Sequence, residues 1–355
     1  MTVISIGVDA HKALHVAVAL DEHGRELRQW RGSNSPAGWQ EFRDWLDELG
    51  EERQVGIEGA WSYGRGLAQH LIEADETVFE VNTRWTALGR RHARKQDKSD
   101  RLDAHAIALF VHREGETLHE IAADDVTAIL NLLSTERDAT LAEATRLRNQ
   151  LHALLLQLDP QYKQRIPNLK TKTAQRQLRR YRTSDSHPLN QERAAAVRRL
   201  ARRLSLALEQ ADELAERIRA IAGRRFSPLT EVFGVNLLTA GTLAGILGPG
   251  HRFASDAALA AYAGVAPLET SSAGGVRHRL NRGANRRLNA VIYLIALTQA
   301  HYSDEARAYI ERRVSEGKTK REAMRALKRY IIRAIWRAWR RCDLAPSLLE
   351  VRTAA

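Results

Sequence analysis

Short apolar runs and amphipathic runs alternate along the first third of the chain. The short runs, several of them rich in Val and Ile, predict strands at 3–9, 15–20, 26–30, 54–58 and 77–81. Apolar residues that recur every three or four positions predict helices at 36–49, 63–74 and 100–112. The order is therefore three strands, then helix, strand, helix, strand and helix.

That order mixes an antiparallel hairpin with parallel crossover units, as a ribonuclease-H-like (RuvC-like) α/β domain does. We predict such a domain over residues 1–120. Its first strand delivers a carboxylate, Asp9, at its end.

The apolar period changes after residue 120. Two long amphipathic helices are predicted at 124–158 and 191–222, separated by Pro160, Pro167 and the polar stretch 183–188. The pattern favours a helical hairpin or coiled-coil arm over residues 121–225, through which the chain is able to form dimers. Spacing alone equally allows both helices to pack on the chain's own core.

A third, mainly helical domain is predicted over residues 226–355. At 232–248 a turn leads into an Ala- and Leu-rich helix, which resembles a helix-hairpin-helix element although Asn236 replaces its usual second glycine. A plain helical turn explains this stretch as well. The basic helix at 318–341 is expected to pack its apolar stripe on the domain and face its arginines outward. A membrane-surface helix has a similar pattern, but a chain that is basic along its length favours phosphate contacts.

The charge of the chain indicates a nucleic-acid partner. The net charge is +12 with a pI near 10.1, and only nine of the 55 basic residues are lysines. Arginine binds phosphate with two parallel donors, so this excess favours DNA or RNA, although a solvated basic surface is the alternative.

The same composition excludes other classes of protein. The single cysteine, Cys342, excludes an internal disulfide and a four-cysteine zinc site. No signal peptide and no apolar run of about 20 residues is apparent, so we expect a cytoplasmic protein without a membrane partner.

Four carboxylates occur where this order of elements brings strand and helix ends together: Asp9, Glu58, Asp100 and Asp103. The last two are three residues apart, which places them on one helix face. Clustered carboxylates suit Mg²⁺, and a two-metal site stabilises both the attacking and the leaving oxygen of a phosphodiester. Individually, Asp100 is also explained as an N-cap, Asp103 as a first-turn residue and Glu58 as a solvated strand end.

Basic residues surround the second half of this set. We expect them to hold a nucleic-acid backbone, or else to form a solvated loop. They are Arg84, Arg90, Arg91, Arg94, Lys95, Lys98 and Arg101.

A second constellation lies in a Gly-rich loop after Pro267. Ser271 and Ser272 are predicted to be exposed on it, and a serine hydroxyl becomes a nucleophile where its proton is removed or the attacked phosphate is stabilised. Without further information such a loop is simply a flexible turn. The arginines that follow are candidate phosphate ligands: Arg277, Arg279, Arg282, Arg286 and Arg287.

Together these motifs resemble the insertion-sequence-110 family of bacterial DNA transposases and recombinases. The resemblance covers almost the whole chain. It rests on Ile6-Gly-Val-Asp9-Ala-His-Lys, Glu58, Lys98-Ser-Asp-Arg-Leu-Asp-Ala104, 253–259, Tyr262-Ala-Gly-Val-Ala-Pro267, Ser271-Ser272 and Arg282-Gly-Ala-Asn285.

The resemblance implies an Asp-Glu-Asp-Asp set that maps to Asp9, Glu58, Asp100 and Asp103, and a serine nucleophile that maps to Ser272. It further implies DNA recombination through a phosphoserine link with help from a metal, composite active sites in a homodimer or tetramer, and in some members a structured guide RNA. The family commonly has glycine directly after the serine, whereas Ala273 stands here, so Ser271 remains an alternative nucleophile.

Three other functions remain open from the residues. A DNA invertase of the same family uses the same chemistry, a RuvC-like nuclease hydrolyses nucleic acid with water and needs no serine, and a non-catalytic relic binds nucleic acid without cutting it.

Overall fold

The computed structural model describes residues 3–50, 52–81, 99–115, 118–249, 252–266, 268–269, 278–279 and 284–342. The chain divides into two compact units, Met1–Asp124 and Asp125–Ala355. The predicted boundary near residue 120 lies close to this division. The predicted boundary at residue 225, between an arm and a third domain, stays a prediction.

The first unit is built on a six-stranded mixed sheet. Its strands are β1 Ile4–Ala10, β2 Leu14–Leu20, β3 Glu26–Ser33, β4 Arg53–Glu58, β5 Val78–Val81 and β6 His119–Glu120. The order is β3-β2-β1-β4-β5-β6. The pairs β1–β2, β2–β3 and β5–β6 are antiparallel, and β1–β4 and β4–β5 are parallel. A hairpin joined to parallel crossovers is what the sequence predicts, and only the two-residue β6 was not predicted.

Helices cover both faces of this sheet: α1 Pro36–Asp47, α2 Arg65–Ile72 and α3 Asp100–Glu114. Alternate residues of a strand point to opposite faces, so Ile6 and Val8 of β1 pack with residues of α1 and α2. On the other face, Val16 and Val18 of β2 pack with Ala104 of α3. Both faces of the central strands are therefore buried, which explains their nearly continuous apolar sequence.

The second unit is mostly helical. Its helices are α4 Val126–Leu158, α5 Tyr162–Arg165, α6 Lys172–Arg179, α7 Pro188–Arg225, α8 Leu237–Leu247, α9 Asp256–Tyr262, α10 Arg286–Tyr302, α11 Asp304–Ser315 and α12 Lys320–Trp339. A 3₁₀ turn at Ser227–Glu231 precedes α8, and a two-stranded ribbon joins β7 Leu268–Glu269 to β8 His278–Arg279.

The long helices α4 and α7 form an antiparallel pair that is shared between two hydrophobic clusters. At one end, Leu130 of α4 and Ile218 of α7 belong to the core that also holds α8, α10 and α12. At the other end, Leu151 and Leu204 belong to a separate cluster with residues of α5 and α6. The helical hairpin and the packing on the chain's own core, posed as alternatives from the sequence, both occur. The coiled coil stays a prediction.

The segment between α4 and α7 is more ordered than the sequence suggests. Pro160, Pro167 and the polar stretch at 183–188 predict only a break, yet α5 and α6 form within it. Ile166 and Leu178 are buried there, spaced among exposed polar residues. We call residues 160–203, which comprise α5, α6 and the start of α7, the tip segment.

The C-terminal predictions hold in the described part. Helix α8 begins at an Asn236 cap and ends at Gly248, whose φ of 72° suits glycine. Helix α12 begins with a capping box between Thr319 and Glu322 and buries an apolar stripe that includes Ile331 and Ile335. The helix-hairpin-helix resemblance of the 232–248 stretch stays a prediction.

Charge divides unevenly between the two units. Residues 1–124 carry 15 basic and 22 acidic side chains, which gives a net charge of −7. Residues 125–355 carry 40 basic and 21 acidic side chains, which gives a net charge of +19. The expectation that the chain is basic along its length is therefore wrong. No helix in the described residues is long and apolar enough to cross a membrane.

Candidate metal centre

The ends of two parallel strands bring Asp9 and Glu58 side by side. In the pairing of β1 with β4, Asp9 lies opposite Glu58, and Gly7 lies opposite Gly56 two residues earlier. Paired residues of neighbouring strands face the same side of a sheet, so all four positions face the same side. This side is the one that α3 covers.

The two glycines let α3 lie directly on the sheet. A Cβ atom on Gly7 would stand 2.1 Å from the backbone nitrogen of Ala108, and one on Gly56 would stand 2.2 Å from Cγ2 of Val111. The backbones of β1 and α3 therefore touch with no side chain between them. This contact fixes where the first turn of α3 reaches the sheet.

The first turn of α3 carries the two remaining carboxylates of the predicted set. Ser99 is the N-cap, with its hydroxyl accepting a hydrogen bond from the Leu102 amide at 3.3 Å. Asp100 is therefore the first helical residue, and its reading as an N-cap is wrong. Asp103 is only 7% exposed, whereas Asp100 is exposed. Both benefit from the positive end of the helix dipole.

A histidine joins this cluster. His11 Nε2 lies 3.1 Å from Oδ2 of Asp9 and 3.5 Å from Oδ1 of Asp100. One donor atom from each of these three residues lies within 4.8 Å of the other two. His11 belongs to the motif that begins at Ile6, but no role was predicted for it. A histidine two residues after a strand-end aspartate was the signal that would have indicated it.

The pKa of Asp9 reflects both its burial and the charged groups around it. Burial raises the pKa of Asp9, and repulsion from Asp103 and Asp100 raises it further, while the neighbouring His11 lowers it. A divalent cation reverses the repulsive contribution, because it is the largest local charge wherever it binds.

The donor set fits such a cation. Neighbouring ligands of an octahedral ion that binds oxygen at about 2.1 Å stand about 3 Å apart, close to the spacing of His11 from the two carboxylates. Asp9, Asp100 and Asp103 offer the oxygen ligands that Mg²⁺ prefers, and His11 adds a nitrogen. Glu58 faces the same side beside Asp9 and completes the predicted set.

Asn34 ties together the loops around this site. Its Nδ2 lies 3.1 Å from the carbonyl oxygen of Tyr63, 3.3 Å from that of Lys12 and 3.5 Å from that of His11. Its Oδ1 accepts a hydrogen bond from Nε1 of Trp39 at 3.0 Å. Asn34 thus links the β1–β2 turn, which carries His11, to the turn that follows Glu58. Sequence reasoning missed this positioning residue.

Most of the other predicted site residues lie outside the described part of the chain. These are Arg90, Arg91, Arg94, Lys95, Lys98, Ser271, Ser272, Arg277 and Arg282. The backbone of Arg279 lies in β8. Arg286 is exposed at the start of α10. Arg287 pairs with Asp138 at 2.9 Å, and its role in nucleic-acid binding stays a prediction.

The motifs on either side of the serine loop meet in the fold. Asn285 Nδ2 donates to the Tyr262 hydroxyl at 2.8 Å, and the backbone N–H of Asn285 donates to the Tyr262 carbonyl at 2.9 Å. Asn289 Nδ2 donates to the Ala263 carbonyl at 2.7 Å, and Asn289 Oδ1 accepts a hydrogen bond from Nζ of Lys328 at 2.8 Å. Burial lowers the pKa of Lys328, and Arg325 lowers it further. The described residues on the two sides of this loop are therefore joined by hydrogen bonds.

Comparison with known families covers both units. A family model for DEDD transposases of IS110 elements, described as transposase, matches residues 6–160. A second model, described as the transposase IS116/IS110/IS902 family, matches residues 227–311.

Two relatives are proteins of insertion elements. A 42 kDa protein of insertion element IS900 from Mycobacterium paratuberculosis is 26% identical over 380 residues, which cover 93% of this chain and 94% of the relative. A 43.6 kDa protein of insertion element IS110 from Streptomyces coelicolor is 27% identical over 282 residues, which cover 67% of this chain and 70% of the relative.

Proposed function

Since this chain belongs to the IS110 family of transposases, enzymes that cut and rejoin DNA, we propose that its active site combines the acidic cluster with a serine nucleophile. The observation that carries the proposal is the convergence of Asp9, Asp100 and Asp103, with His11, at one end of a ribonuclease-H-like sheet. A bound cation would offset the repulsion of the nearly buried Asp9 carboxylate by Asp103 and Asp100, which gives the cluster a physical reason to exist.

We assign Asp9, Glu58, Asp100 and Asp103 as ligands of Mg²⁺, with one or two ions bound. When bound, the ion neutralises charge on a DNA phosphate and on the oxygens that attack and leave it. The protein contributes the rigid placement of these groups, because β1, β4 and α3 are held by backbone contacts. Burial of Asp9 and Asp103 limits access of water to two of the carboxylates.

The nucleophile in this proposal is Ser272, with Ser271 as the alternative. Its hydroxyl oxygen attacks the phosphorus of a DNA phosphodiester, the new Oγ–P bond forms, and the bond from phosphorus to one deoxyribose oxygen breaks. The serine proton leaves to a base and the freed deoxyribose oxygen is protonated. Because the phosphoserine link is a diester, a second DNA hydroxyl is able to attack it and reseal a strand without a high-energy cofactor.

The partners in this proposal are the DNA ends of an insertion sequence, a target DNA and a structured guide RNA, bound by a homodimer or tetramer. The net charge of +19 on residues 125–355 supports binding of such polyanions. We assign ten basic residues as phosphate contacts of the acidic cluster and of the serine loop. They are Arg90, Arg91, Arg94, Lys95, Lys98, Arg277, Arg279, Arg282, Arg286 and Arg287.

The test uses purified protein with labelled DNA from both flanks of its gene and RNA transcribed from the noncoding flank. The mixture is incubated with Mg²⁺ or with EDTA, and a covalent protein–DNA adduct is sought on a denaturing gel. We expect an adduct that is lost in EDTA, in Ser272→Ala and in Asp103→Asn. It should persist in Ser271→Ala and in Glu41→Gln, a control at an exposed carboxylate of α1.

The other outcomes identify the alternatives. Cleavage without an adduct, unchanged in Ser272→Ala, would make the protein a metal-dependent nuclease. An adduct lost only in Ser271→Ala would move the nucleophile by one residue. Binding of DNA with no cleavage under any condition would identify a non-catalytic relic. Products inverted between fixed sites would identify an invertase.

A further inference from the structure

The tip segment carries most of the chain's excess positive charge. Residues 160–203 contain 13 basic side chains and two acidic ones, a net charge of +11 against +12 for the whole chain. Ten of the 13 are arginines. None of them belongs to the residues assigned above to the active site.

The tip segment presents these cations outward because it has an apolar interior of its own. Four apolar residues of the tip segment pack with the C-terminal part of α4 and the N-terminal part of α7. They are Tyr162, Ile166, Leu169 and Leu178. On α6, Lys172, Arg176 and Arg179 follow at intervals of four and three residues, which places them on one face. All three are exposed, opposite the buried Ala174 and Leu178.

Most of these cations have no acidic partner. Four arginines of the tip segment pair with carboxylates: Arg165 with Asp159, Arg179 with Glu209, Arg199 with Glu192 and Arg203 with Glu143. In the described part of the chain, the other nine have no carboxylate oxygen within ion-pair distance. Like charges at this density repel one another and oppose compact folding unless a polyanion or salt neutralises them.

The side chains present indicate how such a polyanion is contacted. Tyr162 is buried and Tyr181 is half-buried, so neither tyrosine of the tip segment is exposed for stacking on bases. Arginine and lysine on a convex surface contact phosphates, which fixes position without reading sequence. The anion best matched to cations spread over several helices is a nucleic-acid duplex.

We propose that the tip segment is a docking surface for the phosphate backbone of duplex DNA, independent of base sequence and formed by residues other than those of the acidic cluster. Its role is to hold the duplex DNA on which the enzyme acts.

The test measures binding of the full-length protein to a random-sequence duplex by fluorescence anisotropy, in EDTA and at several salt concentrations. The tip variant combines Lys170→Gln, Lys172→Gln and Arg176→Gln, all at exposed positions. We expect the slope of log affinity against log salt to fall in magnitude by about 2 to 3, and the affinity at about 0.1 M salt to fall on the order of a hundredfold.

Two matched variants separate charge from folding. The outside variant removes three exposed charges of the same unit that lie outside the tip segment, through Arg146→Gln, Arg217→Gln and Arg224→Gln. It should leave the slope nearly unchanged. Lys170→Arg, Lys172→Arg and Arg176→Lys keep the charge and should bind as the wild type does. Circular dichroism of each variant checks that it is folded.

Duplex DNA and duplex RNA of one sequence are compared in parallel. A loss of affinity for duplex DNA would support the proposal, and a loss confined to duplex RNA would overturn it. An unchanged slope in the tip variant, or a loss equal to that of the outside variant, would overturn the proposal. So would tip-dependent binding to phosphatidylserine vesicles with unchanged duplex affinity. Because binding is measured without cleavage, failure of the proposed chemistry at Ser272 or Asp103 would leave this result intact.

Discussion

At the end of β1, Asp9, His11 and Asp100 offer ligand atoms within 4.8 Å of one another and Asp103 raises the pKa of Asp9, whereas in the tip segment thirteen cations spread over the outside of a small helical lobe. The first arrangement concentrates charge in a partly buried place. The second distributes it in water. Because a small ion neutralises charge at one point and a polyanion neutralises it along a length, the two arrangements indicate two kinds of ligand.

The two regions also differ in how they are built. Asp9, Glu58, Asp100 and Asp103 come from three separate parts of the chain and meet only because α3 lies against the backbone of β1. The cations of the tip segment come from one continuous stretch, and their positions depend on local helices. A change in sheet packing should therefore disable the acidic cluster and leave the tip segment intact.

The largest effect that tests this difference is expected from Gly7→Ala. The added Cβ would stand 2.1 Å from the backbone nitrogen of Ala108, and a backbone atom is unable to move aside as a flexible side chain does. We expect a loss of about 3 kcal/mol in the free energy of unfolding, the upper part of the range for overpacking, together with loss of DNA cleavage. Urea unfolding and the adduct assay measure the two effects.

Gly223→Ala is the matched control. Gly223 lies in α7, and a Cβ there would be 3.7 Å from Cδ1 of Leu237, an ordinary contact. This change should raise the free energy of unfolding by about 0.5 to 1 kcal/mol, because alanine restricts the unfolded chain. Duplex binding should be unchanged in both variants. Gly7→Ala with wild-type stability would show that α3 does not need the space at Gly7.

A smaller effect is expected from Asn34→Ala. The change removes the amide that joins the carbonyls of His11, Lys12 and Tyr63, at an expected loss of about 1 to 2 kcal/mol. Asn34→Asp keeps an acceptor for Trp39 but loses the donors, so it should be at least as destabilising. If Asn34→Asp were as stable as the wild type in urea unfolding, the contact with Trp39 alone would account for the role of Asn34.

The sequence predicted the strands and the main helices, because each depends on local periodicity or on the order of elements. The four-carboxylate set stays a prediction. The sequence did not predict that Asp103 is nearly buried while Asp100 is exposed. That difference arises from the contacts of α3 with Gly7 and Gly56, which join Gly7 to Ala108 and Gly56 to Val111, residues far apart in the sequence.

Two further features could not be predicted from the sequence pattern. His11 joins the cluster through the direction of its side chain in a short turn, which spacing does not specify. The helices α5 and α6 are too short to give a clear apolar period, so prolines and polar residues suggested only a break. The concentration of charge in the tip segment was visible in the sequence, but its meaning depends on the absence of acidic partners within the described fold.

The pH dependence of stability tests whether the pKa of Asp9 is raised in the folded protein. In the folded protein the pKa of Asp9 is raised, first by burial and then by Asp103 and Asp100, so the folded state binds the proton more tightly than the unfolded state. Stability from this group is therefore present below the ordinary carboxyl pKa and is lost as pH rises through the folded pKa. In EDTA, we therefore expect the wild type to lose stability over this range relative to Asp9→Asn.

Thermal unfolding at several pH values in EDTA measures this difference, with Glu41→Gln as the exposed control. Addition of Mg²⁺ at neutral pH should restore the stability of the wild type and have little effect on Asp9→Asn. Parallel curves for the wild type and Asp9→Asn at every pH would mean that the cluster is relaxed without a metal.

The smallest effect is the response of the tip segment to salt alone. Raising the ionic strength from about 0.01 M to 0.15 M shortens the Debye length from about 30 Å to about 8 Å, which screens exposed charges more than buried ones. The wild type should gain a few tenths of a kcal/mol in stability over this range. The variant with Lys170→Gln, Lys172→Gln and Arg176→Gln should gain less, and Asp9→Asn as much as the wild type. An equal gain in the tip variant would show that water already screens these cations, and the difference between the two regions would then rest on their ligands rather than on repulsion.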